Sequence, residues 1–558
     1  MNRRDFMLRA FKGMVITGLL PQFSSCLRSN DDKKYFFPLD KSDMNYVQLN
    51  FYGGPVRWGF DNFLRPTESH EFIPTRMVGG RFKDGMGDVE LKWVKKHGYL
   101  VPDFWDLKMK SGVEHSTLLQ NMISIRGVDI NVSGHPHGII KTVRPDSTQP
   151  SIQGVISDHS KSPLPSIIFG SNPATRSYES IKRGGIKIPL NERNLLEQIL
   201  SPFVLAEEKS LFGSNNDKKK IITKVLDNLK LVEGAEDKYL KELYGSLDLF
   251  IDNLAPFLDE YESYLSKYEK LILQNIRNFD GLSLDKLSLR TLDMGNLSKF
   301  KSEDEWGRYK IDYQTYLRGD NLEEMLSSAD LGFVPHQFAC TEFLLKRGLT
   351  NSLMMSTPNE MGSFLYNCSN QNNVHQKSFS EGKIVSTKDK FVSIQMDSHN
   401  TGTILQTIAS FMFYRGLVPC LDRLKNELKA IQIGDNKSLF DKTLIHLCSE
   451  FERIPTEFES GTEHNHRSHT SSFLSGSIKK FQIAGNIKTG NNVYGTIGTA
   501  GHVEKFGRNL DPRDIYQSIC SIMKIKSPVP RAEELLDWKG DEITSTLNEL
   551  KNVEGVSC

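Results

Sequence analysis

The sequence predicts an α/β protein in which helices cover both faces of a mainly parallel sheet, forming a three-layer α/β/α sandwich. Short runs of apolar and β-branched residues recur along the chain, and each has the composition of a buried strand. The segments between them are long enough to hold the crossover helices that parallel neighbours require. This alternation favours one sheet between two helical layers over residues 46–524. The predicted strands are 46–52, 122–125, 166–169, 391–396 and 443–448.

One part of the chain departs from this alternation. It is rich in Leu, Lys and Glu, and apolar side chains recur at helical spacing, as in Ile221, Val225 and Leu229. We interpret its apolar stripes as packed faces of a helical insertion rather than as a binding surface. The predicted segments are a first core part (46–190), the helical insertion (191–276), a second core part (277–524) and a C-terminal extension (525–558).

The amino terminus predicts export. Arg3 and Arg4 precede a short apolar stretch, 14–20, and together they resemble a twin-arginine signal over residues 1–25. Small residues before Cys26 are similar to a lipoprotein processing box, so Cys26 is a candidate for lipidation and membrane attachment. A polar tether over 26–45 would follow, and the protein would be periplasmic or membrane-anchored. The alternative is a cytoplasmic protein with a basic start.

Composition limits the classes of function. The formal net charge of +1 gives no electrostatic footprint for nucleic acid, and no apolar run after the signal is long enough to span a bilayer. The seven cysteines include no Cys-x-x-Cys pair, which excludes a zinc ribbon, and Cys340 and Cys448 lie in apolar runs typical of buried thiols. No Walker, dinucleotide or Gly-x-Ser-x-Gly motif supports nucleotide-dependent transfer, hydride transfer or a serine hydrolase.

Acidic residues and histidines follow two of the predicted strands at their carboxyl ends. Asp397 and His399 come directly after the fourth run, and Glu450 follows the fifth. Ligands of open parallel sheets bind in the crevice beyond these strand ends, and the loop after Glu450 can fold His464 back over the same edge. Neutral imidazoles and carboxylates are common metal ligands near pH 7. We therefore predict Asp397, His399, Glu450 and His464 as ligands of a divalent metal ion. The alternatives are a solvated polar loop and a local turn closed by side-chain hydrogen bonds.

Two arginines are candidate catalytic cations. Arg453 or Arg57 could clamp a phosphate or sulfate oxyanion bidentately, although Arg453 could instead form an ordinary salt bridge with Glu450. His135 and His137 could line the same crevice, whereas their Gly- and Pro-rich surroundings are more typical of a turn.

A series of short motifs follows the twin-arginine start in a fixed order along the chain. They are Gly53-Gly54-Pro55, Phe60-Asp61, His135-Pro136-His137-Gly138, Pro150-Ser151, Leu164-Pro165, Ala339-Cys340, Lys346-Arg347-Gly348, Asp397-Ser398-His399, Glu450-Phe451-Glu452-Arg453-Ile454-Pro455 and Glu463-His464. Their order resembles the exported bacterial family called domain of unknown function 1501, over most of the predicted mature chain. That family is similar to the alkaline phosphatase and sulfatase superfamily, which implies an α/β/α sandwich with its site at the carboxyl ends of the strands.

The chain also departs from the family pattern. Met396 stands where the family usually has a tryptophan, Glu452 where it has a glycine, and Asn465 where it has another tryptophan. Phosphatases of the superfamily place an aspartate and a Ser or Thr nucleophile after the first strand, whereas this chain has Gly53-Gly54-Pro55. A standard two-metal phosphotransfer site is therefore not expected.

Two functions follow from the sequence. The resemblance implies an exported metal-dependent hydrolase that acts on a small phosphate or sulfate ester. The alternative is a non-catalytic periplasmic or surface-anchored scaffold that keeps the fold for binding or assembly, since fold does not determine function. Lost positions after the first strand favour the scaffold, and the retained Asp, His and Glu positions favour the hydrolase.

Overall fold

The computed structural model describes most of the predicted core. The predicted signal and nearly all of the tether lie outside the described residues. The described residues are 44–66, 76–78, 88–91, 93–160, 162, 164, 166–170, 172–182, 184–190, 195–200, 238–276, 289–290, 301–303, 310–312, 329–365, 391–397, 403–434, 436–455, 462–485, 487–489, 497–500, 502–503 and 507–547.

The described residues form a mixture of strands and helices. The strands, numbered in chain order, are β1 Asn45–Phe51, β2 Arg65–Pro66, β3 Arg76–Val78, β4 Asp88–Leu91, β5 Trp93–Lys96, β6 Tyr99–Pro102, β7 Met122–Val128, β8 Ile167–Phe169, β9 Ile186–Ile188, β10 Leu289–Arg290, β11 Lys301–Glu303, β12 Lys310–Asp312, β13 Ser352–Ser356, β14 Glu360–Leu365, β15 Phe391–Gln395, β16 Thr443–Ser449, β17 Glu452–Pro455, β18 Thr462–Asn465, β19 His469–Leu474, β20 Gln482–Gly485, β21 Ile487–Thr489, β22 Ile497–Ala500, β23 His502–Val503, β24 Arg508–Asn509, β25 Leu536–Lys539 and β26 Glu542–Ser545. The α-helices are α1 His135–Val143, α2 Ile152–His159, α3 Pro173–Arg176, α4 Leu195–Leu200, α5 Lys238–Ile276, α6 Val334–Lys346, α7 Thr403–Lys429 and α8 Pro512–Ile522, and shorter helical turns lie at Trp58–Asn62, Asp103–Asp106, His115–Asn121 and Leu439–Lys442.

Eight strands form a mostly parallel central sheet in the order β20-β7-β19-β16-β1-β13-β8-β9. Only β19 runs against its neighbours, β16 and β7. The central strand β1 pairs in parallel with β16 on one side and with β13 on the other, and Phe51 lies opposite Ser449. The carboxyl ends of β1, β16 and β13 therefore meet at one edge, and the α/β class is confirmed.

The sequence identified four of these eight strands and misplaced one run. The run 391–396 forms β15, which pairs antiparallel with β14 outside the central sheet, so its assignment to the parallel sheet is wrong. The sequence did not predict β13, which pairs with β1 and whose sequence Ser-Leu-Met-Met-Ser has no β-branched residue. The composition of a run indicates that it forms a buried strand. Which strand it pairs with depends on contacts between residues far apart in the sequence.

Alternate residues of β1 enter two different hydrophobic clusters. Val47, Leu49 and Phe51 belong to the larger cluster, which includes residues of α5, α6 and α7. Tyr46 belongs to a second cluster with residues of α2, α8 and the β25–β26 hairpin. The two clusters contain residues of different helices and include side chains from alternate positions of β1. The second cluster includes residues of the predicted C-terminal extension, because the β25–β26 hairpin packs against it. The Ile543 amide also donates to the Ser477 carbonyl at 2.9 Å.

Two helices lie within the predicted helical insertion, α4 and the 39-residue α5. Tyr261 and Tyr268 of α5 are fully buried, and the Tyr268 hydroxyl donates to Glu342 of α6 at 2.8 Å. The remaining residues of that segment lie outside the described ranges. Cys340 and Cys448 are buried free thiols, as predicted.

Candidate metal centre at the carboxyl edge of the sheet

The loop that follows β1 reaches the end of β16. Gly53 has a φ of +91°, and a Cβ there would lie 2.2 Å from the Asn359 side-chain oxygen, so the position requires glycine. The Gly53 amide donates to Glu450 Oε1 at 2.8 Å. Glu450 follows β16 directly and is fully buried. The parallel register of β1 and β16 therefore places this carboxylate beside the glycine turn.

His135 approaches the same carboxylate from the first turn of α1. Its surroundings form the start of an α-helix instead of the turn that their composition suggested, with Pro136 in the first turn, where proline is well tolerated. Helix α1 packs closely on the end of β16, because a Cβ at Gly138 would lie 2.6 Å from the Glu450 carbonyl oxygen. This approach brings His135 Nδ1 within 2.6 Å of Glu450 Oε1.

Asp397 reaches the site from the end of β15. Asn359 holds its backbone, since the Asp397 amide donates to Asn359 Oδ1 at 2.9 Å. Asp397 Oδ1 lies 3.0 Å from His135 Nε2 and 3.0 Å from Arg453 Nη2. Although β15 is outside the central sheet, its carboxyl end still delivers this carboxylate to the predicted edge.

His464 completes the cluster from the β17–β18 hairpin, where it lies opposite Arg453. Its Nε2 is 3.0 Å from His135 Nε2, and its Nδ1 contacts the carbonyl oxygen of Ser133. The His464 ring stacks on Phe451 with the ring centroids 3.8 Å apart. The hairpin and the Phe451 ring thus fix the orientation of this imidazole.

One ligand atom from each of His135, Asp397 and His464 lies within 4.8 Å of the other two. A carbonyl oxygen can only accept, so the Ser133 contact places the proton of His464 on Nδ1 and leaves a lone pair on Nε2. The Glu450 carboxylate accepts from Nδ1 of His135 in the same way. Metal-bound histidines commonly hold their second nitrogen in this manner. Two nitrogen lone pairs and a carboxylate oxygen then face one point, which fits a cation.

The electrostatics of His135 agree with that need for positive charge. Burial by itself would lower the pKa of His135, but hydrogen bonds to Asp397 and Glu450, together with their charges, raise it to about 9. Burial would raise the pKa of Asp397, but the hydrogen bond from His135 and the charge of Arg453 hold it well below its ordinary value. In the absence of a metal ion, a proton on His135 therefore supplies the positive charge between the two carboxylates.

Arg453 is fully buried and holds the glycine turn and Asp397 in place through hydrogen bonds. Its Nε donates to the Gly54 carbonyl at 2.8 Å and its Nη2 to the Gly53 carbonyl at 2.7 Å, in addition to the contact with Asp397. Within the described residues, the buried Arg453 Nη1 and Glu450 Oε2 have no protein hydrogen-bond partner. Such buried atoms are commonly satisfied by an ordered water or an ion.

Arg57, the other predicted cation, lies in the interior and away from these contacts. It is fully buried, and its Nε and Nη2 donate to the two oxygens of Asp61 at 2.8 and 2.6 Å. Its Nη1 donates to the Thr470 carbonyl at 2.8 Å and lies 3.2 Å from Glu452. This geometry favours a structural ion pair over contact with a substrate.

The structure brings together three of the four predicted ligands and adds one. Asp397, Glu450 and His464 converge, but Glu450 lies behind His135 and orients it, while His399 lies outside the described residues. His469 is buried within β19 and burial lowers its pKa. His135 is the residue that sequence reasoning undervalued. The proline directly after it was the available signal, since proline favours the first turn of a helix.

The chain matches no protein-family model, no curated protein and no solved structure. None of the helices in the described residues combines the length and the apolar character needed to cross a membrane.

Proposed function

We propose that the protein is an exported, metal-dependent hydrolase of phosphate or sulfate esters. The observation that carries this proposal is the convergence of His135 Nε2, His464 Nε2 and Asp397 Oδ1 at the carboxyl edge of a mostly parallel sheet. Two nitrogens and one carboxylate oxygen form a three-ligand donor set typical of catalytic zinc sites, in which water takes the fourth position. When bound, the metal supplies a water of lowered pKa and a Lewis acid for an ester oxygen.

The protein residues have separate tasks in this proposal. Glu450 and the Ser133 carbonyl orient the two imidazoles, and Arg453 orients Asp397. The loop after β1 offers Gly53 and Gly54 where phosphatases of the resembled superfamily carry a nucleophile. In this proposal water is the nucleophile that attacks the ester, and no covalent enzyme intermediate forms.

We further propose that the central sheet lies between two helical layers. The two hydrophobic clusters that include alternate residues of β1 support a three-layer α/β/α sandwich. The sequence motifs at this edge support a relation to the alkaline phosphatase and sulfatase superfamily. The twin-arginine pattern at Arg3 and Arg4 supports delivery to the periplasm, and Cys26 supports anchoring there.

A non-catalytic scaffold is the second candidate, and one observation favours it. His135 contacts both carboxylates directly and Arg453 contacts Asp397, so two positive charges balance two negative charges when that imidazole is protonated. A protein that had lost its metal would keep such an ion pair for stability alone.

Metal analysis of four purified proteins tests the proposal. We expect wild type and His137→Ala, a change at the exposed histidine two residues after His135, to contain a single divalent ion per chain. His135→Ala and His464→Ala should lose most of this metal and, with it, hydrolysis of generic aryl phosphates and sulfates. Wild-type protein that is purified without chelators, contains no metal and hydrolyses neither ester would favour the scaffold.

A further inference from the structure

Apart from a bound metal ion, the cluster offers no cation to the remaining oxygens of an anionic ester. Arg57 and Arg453 are fully buried and bind acceptors inside the protein. The carboxylates of Asp397 and Glu450 would repel an incoming phosphate or sulfate oxygen. A second positive group at the rim would offset this repulsion and hold the substrate.

Arg176 lies at the same edge of the sheet. It ends α3, which follows β8, and β8 is the parallel neighbour of β13 on the side away from β1. The helix is anchored at this edge because Asn172 Nδ2 donates to Ser356 Oγ, at the end of β13, at 2.8 Å. Arg176 is therefore carried by a held element and not by a free loop.

Tyr52 lies between α3 and the metal cluster. It directly precedes Gly53, its amide donates to Thr357 Oγ1 at 3.1 Å, and its ring packs against a small cluster that includes Ala174 of α3 and Ile139 of α1. Burial raises the pKa of Tyr52, the charges of Glu450 and Asp397 raise it further, and Arg176 opposes them. These electrostatic effects agree with the position of Tyr52 beside the Gly53–Glu450 contact and against the cluster that includes Ala174 of α3.

Arg176 is exposed, and no carboxylate of the described residues forms an ion pair with it. We propose that Tyr52 and Arg176 form an anion subsite that receives the tetrahedral oxyanion of the substrate beside the His135–Asp397–His464 cluster. This inference rests on the proposed hydrolase function and names the residues that would hold the anionic group of its substrate. An isolated surface arginine would have neither the anchored helix nor the tyrosine between it and the cluster.

Titration calorimetry with inorganic phosphate and with inorganic sulfate tests the subsite. Each anion is added to wild type, Arg176→Gln, Arg176→Lys and Tyr52→Phe, both as purified and after chelator treatment. We expect wild type to bind at least one anion, and Arg176→Gln to weaken that binding by at least about tenfold, the loss typical of a charge-assisted hydrogen bond. Arg176→Lys should restore part of the affinity, and Tyr52→Phe should weaken it by a smaller factor.

Lys187→Gln is the matched control, because Lys187 is an exposed cation on the neighbouring strand β9. Its anion affinity should equal that of wild type. Equal affinity of Arg176→Gln and wild type, or no binding of either anion to wild type in both preparations, would overturn the subsite. If anion binding depends on Arg176 but the protein never contains metal, the hydrolase proposal is wrong and the anion subsite stands. The metal content of Arg176→Gln should match wild type, so a change in anion affinity reports on the subsite and not on the metal centre.

Discussion

His135 contacts every other member of the proposed centre. Its two ring nitrogens lie 2.6 Å from Glu450 and 3.0 Å from Asp397, and its Nε2 also lies 3.0 Å from His464 Nε2. A proton or a metal ion can satisfy this arrangement, and only the metal uses the lone pairs of both imidazoles at once. The identity of the cation at this one residue therefore separates the hydrolase from the scaffold.

Glu450→Gln removes a negative charge that orients His135 without removing a proposed metal ligand. Residues that hold a metal-bound histidine contribute about 10-fold to 100-fold to metal affinity. We expect the affinity of the variant for zinc, measured by competition with a chelator, to fall within that range. Unchanged affinity, in a protein whose circular dichroism matches wild type, would show that Glu450 does not support the centre.

Arg57→Leu should act on stability instead of on substrate binding. The change leaves the buried Asp61 and Glu452 carboxylates without their cation, and breaking a buried pair costs about 3–5 kcal/mol of unfolding free energy. Urea denaturation measures the loss. Asp541→Asn breaks an exposed ion pair with Lys437 and should leave the free energy of unfolding nearly unchanged. If Arg57→Leu has the unfolding free energy of wild type but no longer binds substrate, Arg57 would have the catalytic role that the sequence predicted.

Helix α1 carries one of the two imidazoles, and the β17–β18 hairpin carries the other. The helix approaches β16 closely at Gly138, and the hairpin carries both Arg453 and His464 at paired positions. Small shifts of either element would separate Nε2 of His135 from Nε2 of His464. The proposed metal site therefore depends on the packing of these two elements as well as on the ligands themselves.

Gly138→Ala tests the contribution of α1. The new methyl group would lie 2.6 Å from the Glu450 carbonyl, so the helix must move outward and carry His135 with it. We expect a loss of about 1–3 kcal/mol in unfolding free energy, together with lower metal content. Gly184→Ala is the control, since its methyl group would meet no atom within 4 Å. Equal metal content in the two variants would contradict the role given to the helix.

The pH dependence of stability reflects histidines buried throughout the molecule. Burial, the charge of Arg415 and a hydrogen bond to the Phe104 carbonyl act on His115, and the first two lower its pKa to about 3 from an ordinary 6.5. Below pH 6.5 the unfolded chain binds a proton that the folded protein excludes. As the pH falls from 6.5 to about 3, His115 should therefore lower the free energy of unfolding by about 1.4 kcal/mol per pH unit. Urea denaturation at several pH values should give a shallower slope for His115→Gln than for wild type, and equal slopes would contradict this role of His115.

The sequence anticipated the α/β class and the edge of the sheet that holds the site. Strand-like runs and the residues after them are local features, so Glu450 and Asp397 could be placed at strand ends directly. The order of the strands depends on distant pairings, which is why β13 was missed and β15 was misassigned. The role of His135 depends on a contact across 315 positions of the chain, and no local pattern reports such a contact.

Anomalous scattering from a crystal soaked in a zinc salt is the most direct measurement of the whole account. A single strong peak should lie about 2.0–2.1 Å from Nε2 of both His135 and His464 and at a similar distance from an oxygen of Asp397. An empty position, with the two imidazoles still in direct hydrogen-bond contact and His135 paired with Asp397, would contradict the metal centre and leave the scaffold as the better account.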